Sequence, residues 1–200
     1  MASTEDRGII EDLQRIGRLL GRRGLVVADD GNLSARTGDG TIWITASGTR
    51  TDDLAPDDLV RIDLEGQVVE GTGRPSSEYR LHLEIYRRRE EIGAIVHAHP
   101  PVATGFAVAG EPIQDTALAE AAYSLGAVPV VPYRRPGTGD VAEAVVPMLD
   151  LCWAFLLANH GAVAMGRDPE DACRRMERLE HVASTILTAR LLGGARSLDS

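Results

Sequence analysis

His97 and His99 stand two residues apart in the run Gly93-Ala94-Ile95-Val96-His97-Ala98-His99-Pro100-Pro101. Ala94–Val96 has strand-forming character. On a strand, residues i and i+2 share a face, so the two imidazoles project side by side, as two ligands of one metal ion would. Pro100 and Pro101 cannot continue a ladder, which leaves the pair at a strand end beside a loop. Alone, a His-x-His pair fits one core and one solvated imidazole equally well. Two further groups shift the balance. Glu78 falls at the start of a predicted helix, and His160 lies in Asn159-His160-Gly161 after a buried strand. Three imidazoles and one carboxylate at element ends suit Zn2+, or a related divalent ion such as Mn2+ or Co2+.

Two small-residue stretches offer anion chemistry. Pro75-Ser76-Ser77-Glu78 predicts a helix start with serine at the N-cap and glutamate in the first turn. Free N–H groups, two hydroxyls and the positive end of the helix dipole make Ser76 and Ser77 a phosphate seat. Thr45-Ala46-Ser47-Gly48-Thr49 follows a strand and offers backbone N–H groups and hydroxyls, although a solvated turn is the plainer reading of it alone. His82, four residues after Glu78, shares its helix face and reads as packing or as support for the site.

The elements that must position these groups follow from periodicity. Ile9, Leu13, Ile16 and Leu20 form one stripe of a helix over residues 5–24, capped by Thr4 and ended by Gly24. Two hairpins are predicted, Leu33–Arg36 with Thr41–Thr45 and Leu59–Leu64 with Gln67–Glu70. The Pro-Ser-Ser-Glu helix should run to about Glu91. Shorter helices are expected at Ala103–Ala109, at Ala117–Leu125 and from Val141. Val128–Val131 is an edge or bulged strand because of Pro129. Trp153–Leu157 and Ala162–Met165 are strands flanking the His160 turn. Asp168-Pro169-Glu170-Asp171 opens a long last helix with Ala172, Met176, Leu179, Ala183 and Ile186 buried, and Gly193–Ser200 is a loose tail. Together these predict an α/β fold: one domain over 1–200, with three α/β/α layers around a central, mostly antiparallel sheet.

Composition sets the outer limits. Two hundred residues suit one domain with a sizeable core. A net charge of −9 argues against a nucleic-acid partner but leaves room for a small phosphorylated substrate held in a local pocket. Cys152 and Cys173 lack metal spacing and sit in apolar patterns, which points to a reducing, cytoplasmic setting. No apolar run approaches the roughly 20 residues of a membrane span, and the N-terminus lacks a signal-peptide pattern. There is no Gly-x-Gly-x-x-Gly and no Walker-type loop, so dinucleotide and P-loop chemistry are unsupported.

Six stretches in order, Gly31-Asn32-Leu33-Ser34, Ile44-Thr45-Ala46-Ser47-Gly48, Pro75 through His82, Val96-His97-Ala98-His99, Tyr133-Arg134-Arg135-Pro136-Gly137-Thr138 and Asn159-His160-Gly161, resemble the class II aldolase/adducin family. The resemblance covers nearly the whole chain and is nearest in pattern to the fuculose-1-phosphate aldolases. It implies that His97, His99 and His160 hold the metal. Glu78 would be a ligand of the empty site and the acid/base once substrate displaces it. Asn32, Ser47, Gly48, Ser76 and Ser77 would hold the substrate phosphate. The implied reaction is reversible cleavage of a ketose 1-phosphate, of fuculose- or deoxypentulose-phosphate type, to dihydroxyacetone phosphate and an aldehyde. Decarboxylation, dehydration or 4-epimerisation at the same metal site is the alternative reaction, and a non-catalytic metal-binding scaffold is the third reading. The family's fourfold assembly implies a homotetramer with sites at subunit interfaces. Its aldolases also use two tyrosines. The first matches a position near Leu118 here and the second lies beyond Ser200, leaving Tyr123 and Tyr133 as candidates for a supporting role.

Overall fold

The structure, a computed structural model, describes residues 4–113, 118 and 123–194. Eight strands form one sheet: β1 (Asn32–Arg36), β2 (Ile42–Thr45), β3 (Leu59–Ile62), β4 (Val68–Glu70), β5 (Ala94–Ala98), β6 (Val130–Val131), β7 (Ala154–Leu157) and β8 (Gly161–Gly166). Their spatial order is β4-β3-β2-β1-β5-β8-β7-β6. Every neighbouring pair is antiparallel except β6 with β7. Both predicted hairpins are present, and β6 is the edge strand that Pro129 demands.

The α-helices whose bounds lie wholly among the described residues are α1 (Thr4–Arg22), α2 (Tyr79–Arg88), α3 (Pro101–Ala109), α4 (Gly139–Val145) and α5 (Pro169–Leu191). Period-two alternation along the strands sorts the core into two halves. Ala94, Val96 and Ala98 of β5 join Leu13, Ile16 and Leu20 of α1, Phe106 of α3 and the α5 stripe. Ile95 of β5 joins Leu81, Leu83, Ile85 and Tyr86 of α2 and Val141 and Val145 of α4. The sheet is therefore sandwiched: α1, α3 and α5 cover one face, and α2 and α4 cover the other. His97 shares the parity of Ile95 and so points toward the α2 face, where Glu78 enters.

Local chemistry sets the element ends. Asp168 accepts from the Asp171 N–H at 2.7 Å, with Pro169 at the first helical position. Gly24, at φ 67, follows the first helix, of which Thr4 is itself the first described helical residue rather than its cap. The expected cap of α2 is also corrected. Glu78, not a serine, is the N-cap, with φ −94 and ψ 10. The Ser76 N–H donates to Thr45 O at 2.9 Å, so Ser76 remains tied to the sheet and winding begins only after the two serines. At its other end α2 stops at Arg88 rather than Glu91. Arg89 turns extended, and its guanidinium donates to Leu149 O and Cys152 O. Most of the expected helix Ala117–Leu125 and most of the expected tail lie outside the described residues. Among the described residues no helix is long and apolar enough to cross a membrane.

Cys152 and Cys173 are free and buried, and burial pushes their thiols up to about 11 and about 12. At pH 8 only about 0.1% or less of either is thiolate. The native chain is expected to resist alkylation by iodoacetamide at pH 8 and to take up two equivalents in denaturant. Rapid modification of the native chain, read by intact mass, would contradict that packing.

Candidate metal centre

β5 brings His97 and His99 to the sheet end, and the β7–β8 turn brings His160 beside them. The turn is tight. Asn159 adopts φ 57, the left-handed region that asparagine tolerates, and the His160 N–H donates to Leu157 O at 3.0 Å. Gly161 is required by proximity. A Cβ there would lie 2.5 Å from His99 Cδ2 and 2.7 Å from Ala98 O.

The three rings form a triangle with centroids 4.8, 5.0 and 5.2 Å apart, each pair steeply inclined. One nitrogen from each lies within 4.8 Å of the others. The His97 Nδ1–H donates to Ala162 O at 2.9 Å, which fixes that tautomer and leaves Nε2 free. Nε2 lies 3.0 Å from Glu78 Oε2 but without hydrogen-bond alignment. His160 Nδ1 is 3.8 Å from Glu78 Oε1, and Asn32 Nδ2 donates to Glu78 Oε2 at 2.9 Å.

Four buried polar atoms of this cluster lack a hydrogen-bond partner: His97 Nε2, His99 Nε2, Glu78 Oε1 and Asn32 Oδ1. Each unpaired buried group costs about 1–3 kcal/mol, so a convergence of them marks a place built for a ligand. Neutral imidazole nitrogens and a carboxylate oxygen are the donor set of zinc and its neighbours, and these residues fit such an ion.

The electrostatics agree. Burial pushes the Glu78 carboxyl up, but the charge of His97 and contact with it, together with His160 and the Asn32 hydrogen bond, outweigh this and hold it well below the usual carboxylate range. Burial lowers His97 too, yet Glu78 overrides it and the net shift is upward. Burial and the charge of His97 lower His99, and hold His160 down to about 4.

Asn32, Ser47, Gly48, Ser76 and Ser77 line a single cleft of about 220 Å³ together with Glu78, His99 and His160. Thus the groups named from sequence converge, although Glu78 and Asn32 are hydrogen-bonded to each other in this state. Gly48 sits at φ 80, where glycine alone is unstrained. His82 lies apart from the cleft lining, fully buried. Its Nδ1 is 2.7 Å from Ser34 Oγ, which is 2.8 Å from the Tyr86 hydroxyl. Burial, aided by the charge of His97, holds it down to about 3, so its ring is neutral. Tyr123 is 93% exposed and Tyr133 about half exposed, and neither lines the cleft. Sequence reasoning missed Asp29 and Asp30, which do line it. Asp-Asp-Gly-Asn reads as turn chemistry, and nothing in its spacing reveals that the turn folds against His99.

The family described as Class II Aldolase and Adducin N-terminal domain matches residues 11–187. The chain is similar to a 3-oxo-tetronate 4-phosphate decarboxylase of Pectobacterium atrosepticum, at 36% identity over 92% of this chain and 85% of that protein. It is similar to a 5-methylthioribulose-1-phosphate/5-deoxyribulose-1-phosphate aldolase of Rhodospirillum rubrum, at 35% identity over 88% of this chain and 77% of that one. Among solved structures, an L-fuculose 1-phosphate aldolase superposes with a TM-score of 0.91 at 32% identity, covering 99% of this chain and 92% of the other.

Proposed function

The chain belongs to the class II aldolase and adducin family, and from that premise we propose that it is a zinc-dependent aldolase that reversibly cleaves a ketose 1-phosphate to dihydroxyacetone phosphate and an aldehyde. The observation that carries this reading is the position of Glu78: a buried carboxylate at the meeting point of three imidazoles, in the same cleft as Ser76 and Ser77.

His97, His99 and His160 would hold the ion, with Glu78 completing the set before substrate arrives. A divalent ion held there supplies Lewis-acid stabilisation of the negative charge that develops on the substrate oxygens. The remaining work falls to the chain. Asn32, Ser47, Gly48, Ser76 and Ser77 seat the phosphate, which fixes the adjacent carbonyl carbon over Glu78. In the synthetic direction the Glu78 carboxylate removes a proton from the carbon beside the carbonyl, that carbon bonds to the aldehyde carbon, and the former aldehyde oxygen takes up a proton from water. In cleavage that hydroxyl gives its proton to water as the carbon–carbon bond breaks, the aldehyde departs, and Glu78, protonated from solvent, delivers its proton to the carbon left behind and ends ionised. Its ionised state lets it accept first, and the Asn32 hydrogen bond fixes the orientation of the carboxylate.

The relative named as a decarboxylase favours a second reading, loss of carbon dioxide from a 3-oxo acid phosphate, with Glu78 again protonating the carbon left behind. Among the described residues the cleft lining contains Asp29 and Asp30 and no Lys or Arg, so in either reading the ion would be the main countercharge for an anionic substrate group.

The same reading includes a cytoplasmic homotetramer with clefts at subunit boundaries.

A panel of ketose 1-phosphates, coupled to detection of dihydroxyacetone phosphate, tests the proposal. Release should be abolished by a chelator and restored by zinc. Carbon dioxide release from a 3-oxo acid phosphate would install the second reading. Zinc binding without turnover of either class would reduce the protein to a binding scaffold.

A further inference from the structure

Asp30 lines the cleft beside His99, and its Oδ2 is 3.5 Å from His99 Nδ1. The accounting of ring nitrogens gives the contact meaning. His97 is tied through Nδ1 to Ala162 O and keeps a buried, unpartnered Nε2. His99 has a looser version of the pattern: Nδ1 faces Asp30 at ion-pair rather than hydrogen-bond distance, while Nε2 is buried and unpartnered. In each ring one nitrogen is engaged from behind and the other is left for the ion.

The backbone is shaped to deliver that carboxylate. Ala28, at φ 55, is one of two non-glycine residues with positive φ among the described residues, the other being Asn159 in the His160 turn. Such a conformation costs about 1 kcal/mol or more and persists where its surroundings impose it. Gly31, at φ 77, follows three residues later, and a Cβ there would lie 2.6 Å from His97 O. The Asp30 N–H donates to Val27 O at 3.0 Å, and the His99 N–H donates to Leu25 O at 3.0 Å, so the chain segment before the turn is hydrogen-bonded to the backbone of His99 itself. The turn and the histidine are one assembly, with Asp30 on the side of the ring away from its free nitrogen.

We propose that Asp30 is a positioning residue of the metal centre: it receives the His99 Nδ1–H, fixes the ring's tautomer and orientation, and strengthens Nε2 as a ligand. The inference rests on the three-histidine reading of the centre. A carboxylate behind a ligating imidazole raises its basicity and pins its plane, and loss of such a partner weakens metal binding by about 10–100-fold. Nothing moves covalently. The Nδ1 proton is shared with Asp30, and the Nε2 lone pair stays free.

The test uses the full chain, stripped of metal, with Asp30→Ala and Asp30→Asn beside the parent. Zn2+ is titrated against a chelating indicator, and Co2+ is followed by its visible bands. Asp30→Ala should weaken zinc by about 10–100-fold and alter the cobalt bands. Asp30→Asn, whose amide oxygen still accepts from Nδ1–H, should recover part of the loss. The Asp30 side chain is 53% exposed, so the metal-free melting temperature of both variants should match the parent. Zinc affinity within twofold of the parent and unchanged cobalt bands in Asp30→Ala would overturn the role of Asp30. If His99→Ala abolishes binding in the same series, the metal centre survives that failure. A parent chain that takes up neither ion would overturn the centre itself and Asp30 with it.

Discussion

Glu78→Gln is expected to lower turnover by about 10²–10⁴-fold while the protein still binds zinc. The substitution is nearly isosteric and keeps an oxygen for the Asn32 Nδ2–H, which now donates to Oε2 at 2.9 Å. The three imidazoles are untouched, so the ion remains. The lost property is the capacity to accept a proton. Removal of one carboxylate oxygen from a ligand set also weakens zinc somewhat, and for that reason turnover must be measured at saturating zinc with metal content determined in parallel. A fall in kcat with little change in KM and full metal occupancy is the expected pattern. A variant with parental kcat would remove Glu78 from the chemistry and leave it a structural ligand.

Much of this site was legible because its signals are local and periodic. The His97/His99 pair needs only the two-residue repeat of a strand, and Pro100-Pro101 marks its end. β5 does stop at Ala98, one residue short of His99. The α5 stripe and its Asp168 cap follow directly from helical spacing. The errors arise where distant chain segments compete with a local preference. Ser-Ser-Glu has the composition of an N-cap, but pairing of Ser76 with Thr45 O delays the helix to Tyr79 and turns Glu78 into the cap. That shift matters for function, because it sets Glu78 at the sheet end facing Asn32 and His97 rather than one turn inside a helix. His82 shows the same limit in reverse. Its spacing from Glu78 suggests the site, yet Ser34 on β1 captures its Nδ1, a contact across 48 positions that no pattern announces. Asp30 was invisible for a related reason. A turn's composition predicts that the chain reverses, not which surface the turn is pressed against.

Gly161→Ala is expected to injure stability and metal binding together, and this separates the glycine from an ordinary turn residue. Backbone freedom is not the reason, since Gly161 does not have a positive φ. The reason is the close approach of β8 to β5 at the strand end that carries the ligands. Ala98 pairs with Ala162 in register, and the next position along brings Gly161 against the His99 ring. A methyl group would meet His99 Cδ2 at 2.5 Å and Ala98 O at 2.7 Å, both well inside van der Waals contact. The carbonyl belongs to the sheet and cannot yield cheaply, so the ring or the turn must move. Overpacking of this kind costs about 1–3 kcal/mol. A His99 ring that has moved no longer presents Nε2 to the triangle of donors, so zinc should weaken by more than stability loss alone explains. Thermal melts of the metal-free and zinc-loaded variant make the distinction. The expected result is a lowered melting temperature in both states, with most of the zinc-induced rise seen in the parent gone. An undiminished zinc-induced rise would mean that the ring accommodates the methyl group, and that the narrow gap at Gly161 serves strand packing rather than the position of His99.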